Sequence, residues 1–121
     1  MNLFNRGKFL SHAGLELDWK IECDALTDED WECLAKMISE KTVFGSVYGI
    51  PRGGTKLAKA LEKYCDPKVT WRLVVDDVWT TGKSMREVML PGDLGFVVFA
   101  RQRIPFDPEL YTRALFTMEV A

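Results

Sequence analysis

Two short, almost unbroken apolar runs constrain this chain most: "RLVV" at residues 72–75 and "LGFVVFA" at 94–100. A strand that alternates apolar with polar residues can leave one face in water. A strand that is apolar at nearly every position has to be covered on both faces, and that is the pattern of a parallel sheet. The segments between such runs read as helices. "TDEDWECLAKMISE" has Thr27 as a cap, then Asp28, Glu29 and Asp30 at the positive helix end, and an apolar face of Trp31, Leu34, Met37 and Ile38. "TKLAKALEKY" is a second amphipathic helix and "SMREVML" a short third one. "TVFGSVYGI" and "ALFTMEV" supply two further strands around "VTWRLVV" and "LGFVVFA". The expected fold class is α/β, a single compact domain over residues 1–121 with a mostly parallel sheet flanked by helices. Residues 43–121 form its core, and residues 1–26 form a separate small segment in which a hairpin around 9–23 is expected.

Composition narrows the functional classes. A chain of 121 residues with 28% charged side chains and a net charge of −2 has no global basic field, so neither nucleic acid nor an acidic membrane surface is an expected partner. Cys23, Cys33 and Cys65 are odd in number and lack a CxxC pair, so they signal neither a disulfide framework nor a zinc site. They are read as small buried hydrophobes or half-exposed thiols. With no long apolar run and no signal-peptide pattern, a cytoplasmic protein is expected.

In open parallel sheets, ligands bind at the carboxyl ends of the strands. Two such ends carry unusual chemistry here. In "YGIPRGGTK", Gly53 and Gly54 permit close backbone approach, and Arg52 offers a planar cationic fork for phosphate oxygens. In "DDVWTTGKS", the turn from strand to helix supplies backbone N–H groups and the hydroxyls of Thr80, Thr81 and Ser84, which together suit an anion. The strand is expected to end on Asp76 and Asp77. Two adjacent carboxylates cannot grip a phosphate; they suit ribose hydroxyls or a hydrated magnesium ion, whose arrival relieves their mutual repulsion.

"LVVDDVWTTGKSM" resembles the phosphoribosyl-diphosphate (PRPP) signature of the type I phosphoribosyltransferases: an apolar strand, two acids, then a Thr/Gly/Ser loop. The resemblance implies that Asp76 and Asp77 address the ribose hydroxyls of PRPP, directly or with Mg2+. It implies that Thr80, Thr81, Gly82, Lys83 and Ser84 hold the 5-phosphate. "YGIPRGG" resembles the family's pyrophosphate loop, with Arg52, Gly53 and Gly54 matching its RGG form, and Arg52 joins the two acids as the implied catalytic set. Within the family the chain is most similar to the orotate phosphoribosyltransferases. "FLSHAGLELDWKI" resembles their N-terminal hood, so residues 1–26 are assigned to a hood, and "VVFARQRIP" resembles their strand ending in D-R-Q-E. By that match Arg101 and His12 are the implied base-binding residues, and the partners are PRPP and a nucleobase or nucleoside monophosphate. A homodimer is also implied.

The chain departs from the family pattern at four points. His12-Ala13-Gly14 stands where the hood has Lys-Ser-Gly, Ala100 stands where an Asp precedes the base-site Arg, and the pyrophosphate-loop Lys is deleted. Only "CDPKVTW" occupies the place of the long basic catalytic lid. The expected function is transfer of ribose 5-phosphate from PRPP to an orotate-like pyrimidine with release of pyrophosphate. The alternative is a non-catalytic PRPP- or nucleotide-binding module that lacks the lid.

Overall fold

The computed structural model describes residues 4–10, 16–21 and 23–118. The chain opens with an antiparallel pair, β1 (Phe4–Leu10) and β2 (Glu16–Ile21), with a register irregularity between Arg6 and Phe9. This is the expected hairpin, wider on its amino side than the 9–23 segment anticipated from sequence. A 3-10 turn, Cys23–Ala25, then leads into α1 (Asp28–Ser39). The start of α1 is set by a reciprocal cap. The Asp30 N–H donates to Thr27 Oγ1 at 3.1 Å and the Thr27 N–H donates to the Asp30 carboxylate at 2.8 Å, which satisfies two helix-end donors at once.

The remaining elements alternate: β3 (Ser46–Gly49), α2 (Thr55–Leu61, prolonged by the 3-10 turn Glu62–Tyr64), β4 (Arg72–Trp79), α3 (Lys83–Val88), β5 (Leu94–Ala100) and β6 (Thr112–Thr117). The four strands pair in the order β3-β4-β5-β6, parallel throughout. As the apolar runs require, both faces are covered. Leu73, Val75, Phe96 and Val98 point to one face and pack with Trp31, Leu34 and Ile38 of α1 and Leu57 and Leu61 of α2. Val74 and Val97 point to the other and pack with Met85 of α3 and Met89 just after it, together with Ile50 and Trp79. Burying a Val or Leu side chain in this way stabilises the fold by about 1.5–3 kcal/mol each. Among the described residues, no helix is long and apolar enough to cross a membrane.

Two expectations are corrected. β4 does not end on the acid pair but continues through it to Trp79, with Asp76 paired to Val97, Val78 to Phe99 and Trp79 to Ala100. The carboxylates are tolerated within the strand because each accepts a backbone N–H. Asp76 Oδ1 takes the Asp77 N–H and Asp77 Oδ1 takes the Val78 N–H, both at 2.8 Å. The last strand begins at Thr112, two residues before "ALFTMEV", because Gly95 pairs with Thr112 at the start of β5.

Candidate functional site

The carboxyl ends of β3, β4 and β5 bring three chain segments to one edge of the sheet. β3 runs into residues 50–54, β4 into the 80–82 turn, and β5 into Arg101 and Gln102. Hydrogen bonds tie the three together. The Ile50 N–H donates to the Val75 carbonyl at 2.9 Å, the Arg101 N–H to the Trp79 carbonyl at 3.0 Å, and Gln102 Nε2 to the Thr80 carbonyl at 3.2 Å.

The two loops singled out in the sequence meet directly. Gly53 lies so close to Asp77 that a Cβ at this position would overlap the carboxylate, and a Cβ on Gly54 would strike the Val75 carbonyl and the Ile50 amide. The Pro51–Arg52 peptide bond is cis. Arg52 is exposed at the tip of this loop, and its carbonyl accepts the Thr55 hydroxyl at 2.8 Å. Gly53→Ala is therefore expected to displace the Asp77 carboxylate and to weaken at least tenfold any ligand that this carboxylate holds. Displacing it also breaks the bond that Asp77 Oδ1 accepts from the Val78 N–H, so stability should fall by about 1 kcal/mol. Isothermal calorimetry beside a thermal melt checks both halves.

The 80–82 turn leads from β4 into α3 through a left-handed glycine. Gly82 precedes α3 with φ 82° and ψ 5°, a left-handed conformation suited to glycine. Its missing side chain leaves room for the Trp79 ring, which lies against it. Gly82 gives α3 no side-chain cap, so the first helical amides depend on other acceptors; Lys83 N–H has only a long contact, 3.4 Å, to Thr81 Oγ1. On the far side of the turn, the Arg86 guanidinium donates to the Thr81 carbonyl through both terminal nitrogens. Thr80, Thr81 and Ser84 are half-buried and Lys83 is exposed.

The acid pair is electrostatically uneven. Asp76 is buried, 8% exposed, whereas Asp77 is half-buried against Gly53. Burial pushes the Asp76 carboxyl up to about 8, helped by the hydrogen bond and negative charge it shares with Asp77 and opposed by the Asp77 backbone N–H. Asp76 thus keeps its proton up to neutral pH when no ligand is present. A protonated Asp76 places no second negative charge beside Asp77, which relieves the repulsion between two adjacent carboxyls.

The structure adds a residue that sequence reasoning read only as a small hydrophobe. Cys23 is buried, 5% exposed, and lies near enough to Asp77 for that carboxylate's charge to act on its thiol. Burial, then the charge of Asp77, push this thiol well above the ordinary range, so it stays protonated and is not a nucleophile. No spacing pattern could have revealed this contact, because the turn that carries Cys23 is remote in sequence from β4. Gln102, by contrast, was within reach of sequence reading, since it sits in "ARQR" beside Arg101.

Of the sequence-derived site residues, Arg52, Gly53, Gly54, Asp76, Asp77, Thr80, Thr81, Gly82, Lys83, Ser84 and Arg101 all lie at this edge. Arg101 is half-buried there. His12 lies outside the described residues. The short 65–71 connection sits at the opposite edge, where Asp66 N–H donates to the Phe44 carbonyl and Gly45 N–H to the Trp71 carbonyl. From Arg72 to Asp77 along β4 is about 17 Å at ~3.3 Å per residue, so this connection does not reach the acid pair.

No protein-family model matches the sequence, and no curated protein matches it. The fold does match solved structures. An orotate phosphoribosyltransferase from Aeropyrum pernix superposes with a TM-score of 0.67 at 18% identity, covering 95% of this chain and 88% of that one. A second, from Francisella tularensis, gives 0.61 at 15% identity over 95% and 80% of the two chains. A phosphoribosyltransferase from Corynebacterium diphtheriae gives 0.62 at 17% identity over 84% of each. The chain has the fold of the type I phosphoribosyltransferases. Within that class, its structural likeness is chiefly to the orotate enzymes.

Proposed function

We propose that the protein is a phosphoribosyltransferase that binds PRPP at the carboxyl edge of its sheet and transfers ribose 5-phosphate to an orotate-like base. The observation that carries this reading is the contact of Gly53 with the Asp77 carboxylate, which joins an arginine- and glycine-containing loop to an acid pair and an anion-suited turn. The residues divide the ligand among them by charge. The 80–84 amides and hydroxyls hold the 5-phosphate, Asp77 and Asp76 accept from the ribose hydroxyls, and Arg52 steadies the pyrophosphate as its charge develops. Arg101, at the end of β5, faces the base with a fork suited to a planar anionic pyrimidine.

The described residues contain no group of three or more His, Cys, Asp or Glu able to cage a metal. An adjacent carboxylate pair nonetheless fits Mg2+, which is commonly held by one or two carboxylates with the substrate supplying the other oxygens. Bound there, the ion would neutralise charge on the leaving pyrophosphate. Homodimer formation and a cytoplasmic location are proposed from the same likeness.

Because the 65–71 connection lies at the far edge, it does not exclude water from the site, and turnover is expected to be slow. Chromatography of a reaction with PRPP, magnesium and orotate should show orotidine monophosphate and pyrophosphate. Ribose 5-phosphate should accumulate beside them as water competes with the base. Arg101→Ala should weaken orotidine-monophosphate binding by about 1.5–3 kcal/mol and leave PRPP binding nearly unchanged. PRPP binding without any product would favour the second reading, a binding module, to which the distant connection also points. Absence of PRPP binding at millimolar concentration would overturn both.

A further inference from the structure

Three successive carbonyls where β4 runs into the 80–82 turn are each held by a donor from elsewhere. The Trp79 carbonyl accepts the Arg101 N–H at 3.0 Å and the Thr80 carbonyl accepts Gln102 Nε2 at 3.2 Å. The Thr81 carbonyl accepts both terminal nitrogens of Arg86, Nη1 at 3.2 Å and Nη2. A carbonyl offers no donor of its own, so Gln102 has to present its amide nitrogen, and the orientation of that amide is settled. Arg86 is placed in turn by Trp79, whose ring centroid lies 5.9 Å from the guanidinium carbon and whose ring backs onto Gly82.

Anchoring a carbonyl also aims an amide. Among the described residues only the Pro51–Arg52 peptide is cis, and in a trans unit the C=O and the following N–H point in opposite directions. Gln102 therefore turns the Thr81 N–H away from itself, and Arg86 does the same for the Gly82 N–H. Neither amide has a hydrogen-bond acceptor among the described residues. Both anchoring side chains are exposed, and single hydrogen bonds add only modestly to stability. Two of them on neighbouring carbonyls of one turn act on its direction more than on the strength of the fold.

We propose that Arg86 and Gln102 are positioning residues for the ligand's phosphate, holding the Thr81 and Gly82 N–H groups aimed before it arrives. The inference rests on the assignment of the 5-phosphate to this turn. Neither side chain needs to touch the phosphate, because each acts through a carbonyl. Amides fixed in advance meet an anion without reorganising, whereas a turn released from its anchors has to order itself on binding. Arg86 also carries a positive charge that attracts phosphate at a distance. Gln102 is neutral, so its effect reports aim alone.

The test uses ribose 5-phosphate as the probe, followed through the backbone amide signals of Thr81 and Gly82 in proton–nitrogen NMR of the full chain. In the native protein both signals should move saturably. Gln102→Leu and Arg86→Met each remove one anchor and should each weaken the probe by about threefold to tenfold. Without ligand, the released amide should already be displaced: Thr81 in Gln102→Leu, Gly82 in Arg86→Met. Arg86→Lys keeps the charge but not the fork and should recover only part of the loss. Gln102→Leu, on an exposed bend, keeps the test decisive should Arg86→Met disturb α3. Full affinity in both anchor variants overturns the proposal and leaves the phosphate assignment standing. A loss confined to Arg86→Met and fully restored by Arg86→Lys also overturns it, since Arg86 would then act as a charge. Native Thr81 and Gly82 signals unmoved at millimolar ribose 5-phosphate overturn the proposal and the phosphate assignment together.

Discussion

Between about pH 6 and about pH 8, affinity for magnesium–PRPP should rise roughly fifty-fold through the Asp76 proton alone. The ligand-free protein holds this carboxyl protonated because it is buried and shares a hydrogen bond with Asp77, which moves its pKa up to about 8. A cation or a set of ribose hydroxyl donors prefers the carboxylate, so binding must expel the proton. Each pH unit below 8 adds about tenfold to that cost. The ligand's own phosphates also titrate near pH 6, and Asp76→Asn separates the two effects. The Asn variant should bind weakly at every pH and keep only the shallow dependence of the phosphates. Calorimetry at several pH values checks this, and parallel profiles for the two proteins would mean that Asp76 does not exchange its proton on binding.

The same proton makes the ligand-free fold weaker as pH rises. Asp76 has a folded pKa of about 8, above the ordinary carboxylate value of 3.8. The folded chain therefore retains a proton that the unfolded chain releases. This contribution to stability is fully present below about pH 4 and is lost as pH climbs through about 8. Asp76→Asn should remove that slope and leave the variant more stable than the native protein at about pH 8, by several kcal/mol. Asparagine reproduces the protonated state closely, since its oxygen can still accept the Asp77 N–H and its amide can donate to the Asp77 carboxylate. Denaturant unfolding across this pH range measures the difference; an Asn variant less stable at every pH would show that the buried carboxyl is well accommodated when charged. A gain in stability alongside a loss of binding is a familiar signature of a functional carboxylate.

Much of this molecule was legible in one dimension because its signals are local. The Thr27–Asp30 cap involves residues three apart, and it set the start of α1 in both sequence and structure. "LGFVVFA" demanded cover on both faces, and α1 with α2 on one side and α3 on the other supply it. The PRGG loop and the TTG turn follow their strands directly, so once those strands were parallel, both had to emerge at one edge. Where β4 ends was misjudged for an equally local reason. Adjacent charges read as a strand terminus, but the Asp77 and Val78 amides satisfy them within the strand.

The sequence by itself determined the α/β class, the edge at which the site forms and the residue types that line it, because periodicity, capping and loop chemistry act between near neighbours. Only the tertiary structure decided that Gly53 backs onto Asp77, that Cys23 lies near the same carboxylate, and that Asp76 is buried and holds its proton. It alone set the Gln102 amide against the Thr80 carbonyl. These are matters of distance and solvent exclusion between segments far apart in the chain, and neither quantity exists until the sheet has brought them together.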